Sequence, residues 1–71
     1  MKRFSLIGVG GNAFAIMGYT ARASRKAGLQ DKVDEMHKEA TSGNYYHLIA
    51  VCDKYIGMAN EALGLTDEED E

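Results

Sequence analysis

The sequence predicts an all-α fold: a small three-helix bundle with a short N-terminal extended arm or strand. Three segments place apolar residues at the three- and four-residue spacing of amphipathic helices. Asparagine or glycine stands at the expected ends of these segments. The chain has 71 residues and no proline, which limits it to one domain and leaves its helices unbroken. We therefore expect one helical domain over residues 1–65.

Residues 1–11 are predicted to form an extended arm that ends in a glycine turn. Phe4 and Leu6 belong to a short apolar run of the kind found in strands, and Gly10 and Gly11 allow a sharp reversal. A single strand has no pairing partner in a chain of helices, and an unpaired strand edge seeks another chain. Two arrangements stay open: the arm lies across its own helices, or two copies pair their arms.

The first helix is predicted over residues 12–27. Asn12 is a favoured N-cap because its side-chain oxygen accepts a hydrogen bond from a free backbone N–H of the first turn. Gly28 is the residue expected just after the helix, and Arg25 and Lys26 favour its negative end. Small residues on the apolar arc of this helix predict a close approach by a neighbouring helix.

The second and third helices are predicted over residues 30–42 and 44–63, with Gly43 between them. The third carries the widest apolar stripe and is expected to be the central helix, capped by Asn44 and ended by Gly64. The acidic tail at 66–71 is predicted to be disordered because it has no apolar side chain to bury. The predicted core residues are Phe14, Met17, Ala21, Val33, Met36, Leu48, Ile49, Cys52, Tyr55 and Ile56.

Charge is distributed unevenly along the chain. The formal net charge is −3, yet residues 1–30 carry five basic and no acidic side chains, whereas residues 31–71 carry all eleven acids. Such asymmetry indicates electrostatic choice of a partner, nucleic acid among them, or attraction between copies. The alternative is that these charges form the solvated faces of a small bundle. Tyr19 adds a ring on which a base can stack. The candidate binding patch comprises Lys2, Arg3, Tyr19, Arg22, Arg25 and Lys26.

The single cysteine, Cys52, lies within an apolar run and is predicted to fill the core. A lone cysteine forms no disulfide within its chain and is typical of proteins in a reducing compartment. No apolar run approaches the length needed to span a bilayer. The sequence therefore predicts a cytoplasmic protein without a membrane partner.

No pattern typical of catalysis or cofactor binding is evident in the sequence. His37 and His47 have no cysteine or histidine three or four residues away, a spacing that metal sites favour. Asp34, Glu35 and Glu39 are better explained as the exposed face of a helix than as paired catalytic carboxylates. We therefore expect no catalytic, cofactor-binding or metal-binding residue, and a protein that is not an enzyme.

Two short motifs stand out in the chain, Gly-Asn-Ala-Phe at 11–14 and Ala-Thr-Ser-Gly-Asn-Tyr at 40–45. In these motifs the chain resembles a group of small uncharacterised proteins encoded by bacteriophages and other bacterial mobile elements. The resemblance extends over residues 5–56. The chain departs from the group at Gly10 and Asn44, where the group usually carries aspartate. The resemblance implies a phage or mobile-element origin and assigns no functional residue.

Protein interaction is the function that the sequence favours. The arm and the start of the third helix add more apolar side chains than a small core can hide, and an exposed apolar patch commonly marks an interface. The candidate apolar interface comprises Phe4, Leu6, Tyr45 and Tyr46. We expect a protein partner, a host protein in view of the resemblance, and a homo-oligomer. The alternative is a small nucleic-acid-binding or transcription-regulating protein that uses the basic N-terminal half.

Overall fold

The computed structural model describes residues 3–65 as a bundle of three helices, which confirms the predicted all-α fold class. The helices are α1 (Ala13–Lys26), α2 (Val33–Ala40) and α3 (Tyr45–Leu63), and a 3₁₀ turn at Gln30–Lys32 precedes α2. Within residues 3–65 there is no strand, and no helix is long and apolar enough to cross a membrane. The tail predicted to be disordered, residues 66–71, lies outside the described residues.

Asparagine caps and glycines set the ends of α1 and α3, as predicted. The side-chain oxygens of Asn12 and Asn44 each accept a hydrogen bond from the backbone N–H three residues later, at 2.8 and 2.9 Å. At the other ends, Gly28 and Gly64 adopt φ angles of +76° and +72°. Only glycine adopts this left-handed conformation at little cost, so both helices stop where the sequence places it.

Helix α2 is shorter than the helix predicted over residues 30–42. Gln30–Lys32 form a separate 3₁₀ turn without a side-chain cap, and α2 ends at Ala40. The hydroxyls of Thr41 and Ser42 donate to carbonyls of the last turn at 2.8 and 2.7 Å. Because these hydroxyls satisfy carbonyls at the end of the helix, the chain leaves the helix two residues earlier than predicted.

Helices α1 and α3 run in the same direction and pack on each other, and α2, which connects them in the chain, runs in the opposite direction. At one end of the bundle, the Tyr45 hydroxyl at the start of α3 donates to the carbonyl of Gly11, just before α1, at 3.1 Å. Towards the other end, Ala23 of α1 packs with Ile56 and Ala59 of α3. The first halves of α1 and α3 therefore lie together, as do their second halves.

The core confirms most of the predicted positions but not Phe14. Ile16 is 5% exposed, whereas 84% of the Phe14 surface is exposed, so the prediction for Phe14 was wrong. Met17 and Ile49 are half-buried at the edge of the core. Ile16 contributes to the cluster shared with α3, while Phe14 lies to one side, beside the end of the short α2. The predicted residues that are buried are Ala21, Val33, Met36, Leu48, Cys52, Tyr55 and Ile56.

The N-terminal arm packs on α1 and α3 of its own chain. The Phe4 N–H donates to Oδ1 of Asn60 at 2.6 Å, and Nδ2 of Asn60 donates to the Phe4 carbonyl at 2.9 Å. The Ser5 N–H donates to the Tyr19 hydroxyl at 2.9 Å, and the Phe4 and Tyr19 rings meet edge to face. The side-chain amide of Asn60 thus forms the two hydrogen bonds with the Phe4 backbone that a neighbouring strand would otherwise form.

The arm turns earlier than predicted. The Val9 N–H donates to the Leu6 carbonyl at 3.1 Å, and Gly8, inside this turn, has a φ of +89°. Gly10 and Gly11, the predicted site of reversal, do not adopt positive φ. The arm is therefore bent rather than extended throughout, and Leu6 and Val9 pack against the core.

Candidate functional site

An apolar groove runs between α1 and α2. It consists of two adjoining hollows of about 540 and 420 Å³ that share Phe14, Met17 and Thr41. We call it the α1–α2 groove. The upper hollow is lined by Phe14, Met17, Gly18, Ala21, Arg25, His37, Lys38 and Thr41. The lower hollow adds Ala13, Ala40, Gly43, Asn44, Tyr45 and Leu48.

Aromatic rings dominate the lower end of the α1–α2 groove. Phe14 is 84% exposed, and Tyr45 and Tyr46 are 40% and 79% exposed. The two tyrosine rings meet edge to face with centroids 6.2 Å apart, and the Tyr45 hydroxyl is held by the Gly11 carbonyl. Exposed aromatic surface of this kind gains free energy when a partner covers it.

The upper end of the α1–α2 groove is basic. Arg25, His37 and Lys38 are the ionisable residues of its lining, and no acidic residue lines it in the described part of the chain. Neither Arg25 nor Lys38 forms an ion pair with any residue between 3 and 65, whereas Lys54 and Glu39 on α3 and α2 pair at 2.9 Å. Two cations that have no ionic partner among the described residues thus border an apolar surface.

Comparison with known proteins gives no match. No family model matches the chain, and neither does a curated protein or a solved structure. Function is therefore inferred from the groove and the residues around it.

The structure divides the predicted apolar interface. Phe4 and Leu6 are half-buried and pack against the cores of their own chain, so they do not form an exposed surface. Tyr45 and Tyr46 are exposed. Tyr45 lines the lower hollow together with Phe14, and the Tyr46 ring packs against the Tyr45 ring. The interface candidate is therefore the lower end of the α1–α2 groove.

The reasoning from sequence missed Phe14 because it lies on the apolar arc of α1. Phe14, Gly18, Ala21 and Arg25 follow one another at four-, three- and four-residue spacing on one stripe of the helix. That stripe ends on an arginine, whereas the buried stripe through Ile16 does not. The arginine was the available sign that most of this stripe borders solvent, although Ala21 within it is buried.

The predicted basic patch is divided as well. Arg25 lines the α1–α2 groove, whereas Arg3 lines a separate hollow beside the second half of α3. Arg22 and Lys26 are exposed in the last turns of α1. Lys2 lies outside the described residues. Arg3 and Arg25 therefore border different hollows instead of one.

Tyr19, whose ring was predicted to stack on a base, instead contacts the N-terminal arm. Its hydroxyl accepts the Ser5 N–H at 2.9 Å, and its ring meets that of Phe4 with centroids 6.1 Å apart. The side chain is half-buried in this arrangement. A base could stack on Tyr19 only after the arm moved.

The turn between α2 and α3 brings a serine and a histidine together. Nε2 of His47 lies 3.0 Å from the Glu39 carbonyl and 3.2 Å from the Ser42 hydroxyl, which itself donates to that carbonyl. A carbonyl oxygen only accepts, so Nε2 carries the hydrogen and has no lone pair free to take a proton from Ser42. A Cβ on Gly43 would lie 2.8 Å from the His47 ring. Ser42 and Gly43 of the second motif therefore belong to a tight turn, which Glu39 and His47 close from either side.

Glu39 joins α2 to α3. Its carboxylate accepts hydrogen bonds from Lys54 Nζ at 2.9 Å and from the Tyr55 hydroxyl at 3.2 Å. The hydrogen bond from Lys54 lowers the pKa of Glu39, and the same bond raises the pKa of Lys54. Burial, followed by the hydrogen bond to Glu39, raises the pKa of Tyr55. The cluster holds an ion pair at neutral pH and links the two helices.

Cys52 is fully buried, as predicted. Burial raises the pKa of its thiol, so the reactive thiolate is disfavoured and the residue acts as an apolar filler of the core. Within residues 3–65, no group of three or more histidine, cysteine or acidic side chains is placed to hold a metal ion.

Proposed function

We propose that the chain is a non-enzymatic protein-interaction module that docks a partner protein in the α1–α2 groove. The proposal rests on the exposure of Phe14. Its large ring is 84% exposed in an apolar groove between two helices. Covering such a side chain gains about 1.5–3 kcal/mol. Tyr45 and Tyr46 extend the same surface, and tyrosine is among the residues enriched at protein interfaces.

Hydrogen bonds fix the lower end of the groove, which supports binding there without a large rearrangement. α1 begins at the Asn12 cap, and α3 begins at the Asn44 cap. The hydrogen bond from Tyr45 to Gly11 ties these two starts together across the lower end of the groove. A preformed surface loses little conformational entropy on binding. The resemblance to phage and mobile-element proteins supports a protein of a bacterial host as the partner.

A pull-down from bacterial cytosol with two matched variants tests the proposal. Phe14→Ala removes the exposed ring from the groove, and Ile7→Ala removes an apolar side chain that is 90% exposed and lies outside the groove lining. A partner should be retained by the wild-type chain and by Ile7→Ala but lost with Phe14→Ala. Equal retention by all three proteins would contradict docking in the groove.

Nucleic-acid binding is the second candidate, supported by Arg22, Arg25 and Lys26 exposed in the last turns of α1. Titration with random-sequence duplex DNA at increasing salt separates the two functions, because binding to phosphates weakens steeply as salt rises. Under our proposal, binding at about 0.15 M salt is negligible. Tight binding that fails when these three residues are changed to glutamine would favour nucleic acid instead.

The predicted homo-oligomer stays a prediction, but its first reason no longer holds. The arm was expected to lack a pairing partner, and the backbone of Phe4 is instead satisfied by Asn60 of the same chain. Sedimentation at micromolar concentrations tests self-association. A mass near 7.8 kDa at every concentration would contradict it.

A further inference from the structure

We propose that the segment held in the α1–α2 groove is an acidic amphipathic helix. It is about three turns long, apolar at one end, and carries carboxylates at the other. This inference rests on the proposed function, because it names the kind of partner segment that the same groove takes. The walls of the groove, its charge and the spacing of its residues each support it.

The walls of the groove favour a helix over an extended peptide. Residues 3–65 contain no strand, so the described chain offers no sheet edge with which an extended segment can pair. Gly18 lies inside α1, and a Cβ placed on it would meet no atom within 4 Å. The chain's own packing therefore does not require glycine there. A glycine and the nearby Ala21 instead leave space in which another helix can approach closely.

The charge of the groove selects an acidic segment. The chain is acidic overall, at −3, yet Arg25, His37 and Lys38 are the ionisable residues of the groove lining in the described part of the chain. Arg25 and Lys38 form no ion pair with residues 3–65. Carboxylates on the partner complement them, whereas a basic segment is repelled.

The spacing of the lining residues sets the pattern expected in the partner. Phe14 and Arg25 are eleven positions apart on α1, which is about 16 Å or three helical turns. Apolar side chains of the partner therefore cover Phe14 and Met17, and its acids lie two to three turns away. Two copies of this chain placed groove to groove would supply Arg25 and Lys38 twice and no acid among the described lining residues, so a second copy fits less well.

Selection of random 16-residue peptides displayed on phage tests the proposal directly. The wild-type chain is compared with Gly18→Leu, which fills the groove, and with Gly57→Leu on α3. Gly57 is the matched control, because a Cβ there also meets no atom within 4 Å and the residue also lies inside a helix. Selected peptides should combine aspartate or glutamate with apolar residues at helical spacing. They should bind wild type and Gly57→Leu alike and bind Gly18→Leu at least about tenfold more weakly.

Charge variants give a second measurement that does not depend on filling the groove. Arg25→Gln and Lys38→Gln should each weaken a selected peptide about two- to fivefold, the range for exposed ion pairs. Arg22→Gln changes an exposed arginine that does not line the groove and should have no effect. Circular dichroism of the bound peptide should show a gain of helix.

The possible outcomes separate this inference from the proposed function. Peptides that depend on an open Gly18 position but are basic, or that bind in an extended form, would overturn the acidic helix and leave groove docking intact. If Gly18→Leu weakens the binding of no peptide, both the acidic helix and docking in the groove would be overturned. Self-association of the wild-type chain that Gly18→Leu abolishes would assign the groove to a second copy and overturn the acidic partner.

Discussion

Helix α1 has one face covered by its own chain and another that is open. On the covered face, Ile16 and Ala23 are 5% and 1% exposed, and the arm is fastened over this region by Asn60. On the open face, Phe14 is 84% exposed. α2 packs on that side along only part of its length, because α2 has eight residues and α1 has fourteen, about 12 Å against 21 Å.

This difference indicates that stability depends on the covered side of α1, whereas the binding that we propose depends on its open side. Side chains on the covered face contribute to folding because they lose contact with water. Those on the open face contribute little until a partner arrives. Substitutions on the two faces should therefore separate loss of stability from loss of binding.

The largest expected contrast is between Ile16 and Phe14, which lie only two positions apart on α1. Ile16→Ala should lower the free energy of unfolding by about 2–5 kcal/mol, because it leaves a cavity in the core. Phe14→Ala should change it by no more than about 0.5 kcal/mol, because the ring is exposed in the free chain. Urea denaturation measures both. Similar losses for the two variants would show that Phe14 belongs to the core.

Release of the arm should have the next largest effect. Asn60→Leu leaves the N–H and carbonyl of Phe4 without their partners, and should cost about 1–3 kcal/mol of stability. The amide of Phe4 should also exchange its hydrogen faster. Glu61→Leu, at the exposed neighbouring position, is the control and should leave that exchange unchanged. Continued protection of Phe4 in Asn60→Leu would mean that another contact holds the arm.

Replacing glycine by alanine should lower stability at Gly43 and raise it at Gly18. Gly43→Ala places a Cβ 2.8 Å from the His47 ring, so the turn must shift, and stability should fall by about 0.5–2 kcal/mol. Gly18→Ala meets no atom within 4 Å inside a helix and should raise stability by about 0.4–1 kcal/mol. Thermal unfolding measures the two shifts. If the ring is the obstacle, adding His47→Ala should reduce the cost of Gly43→Ala.

The smallest effect is expected from the exposed link between α2 and α3. Lys54 holds the pKa of Glu39 below its ordinary value of 4.5, so ionised Glu39 favours the folded state. This contribution is present above pH 4.5 and is lost as the pH falls through the lowered pKa. Glu39→Gln should therefore flatten the loss of stability in acid. Lys54→Met should flatten it less, because the Tyr55 hydroxyl still donates to Glu39 in that variant. An unchanged acid profile in both variants would contradict the role of this pair.

The local features of this fold could be predicted from the sequence. Asn12 and Asn44 cap helices, and Gly28 and Gly64 end them, as predicted. Capping and left-handed glycine depend on atoms within a few residues, so the sequence alone determines them. The burial of Cys52 follows in the same way from the widest apolar stripe.

Only the tertiary structure decided which apolar side chains are covered. Periodicity marks a face of α1 as apolar, but whether Phe14 is buried depends on where α2 ends and on which side α3 packs. The arm depends on Asn60, a partner 56 positions away that no local pattern in the sequence indicated. Pairing at such a distance is set by the packing of whole helices. The exposed groove, and the function proposed for it, therefore follow from the arrangement of the helices and not from their sequences taken one at a time.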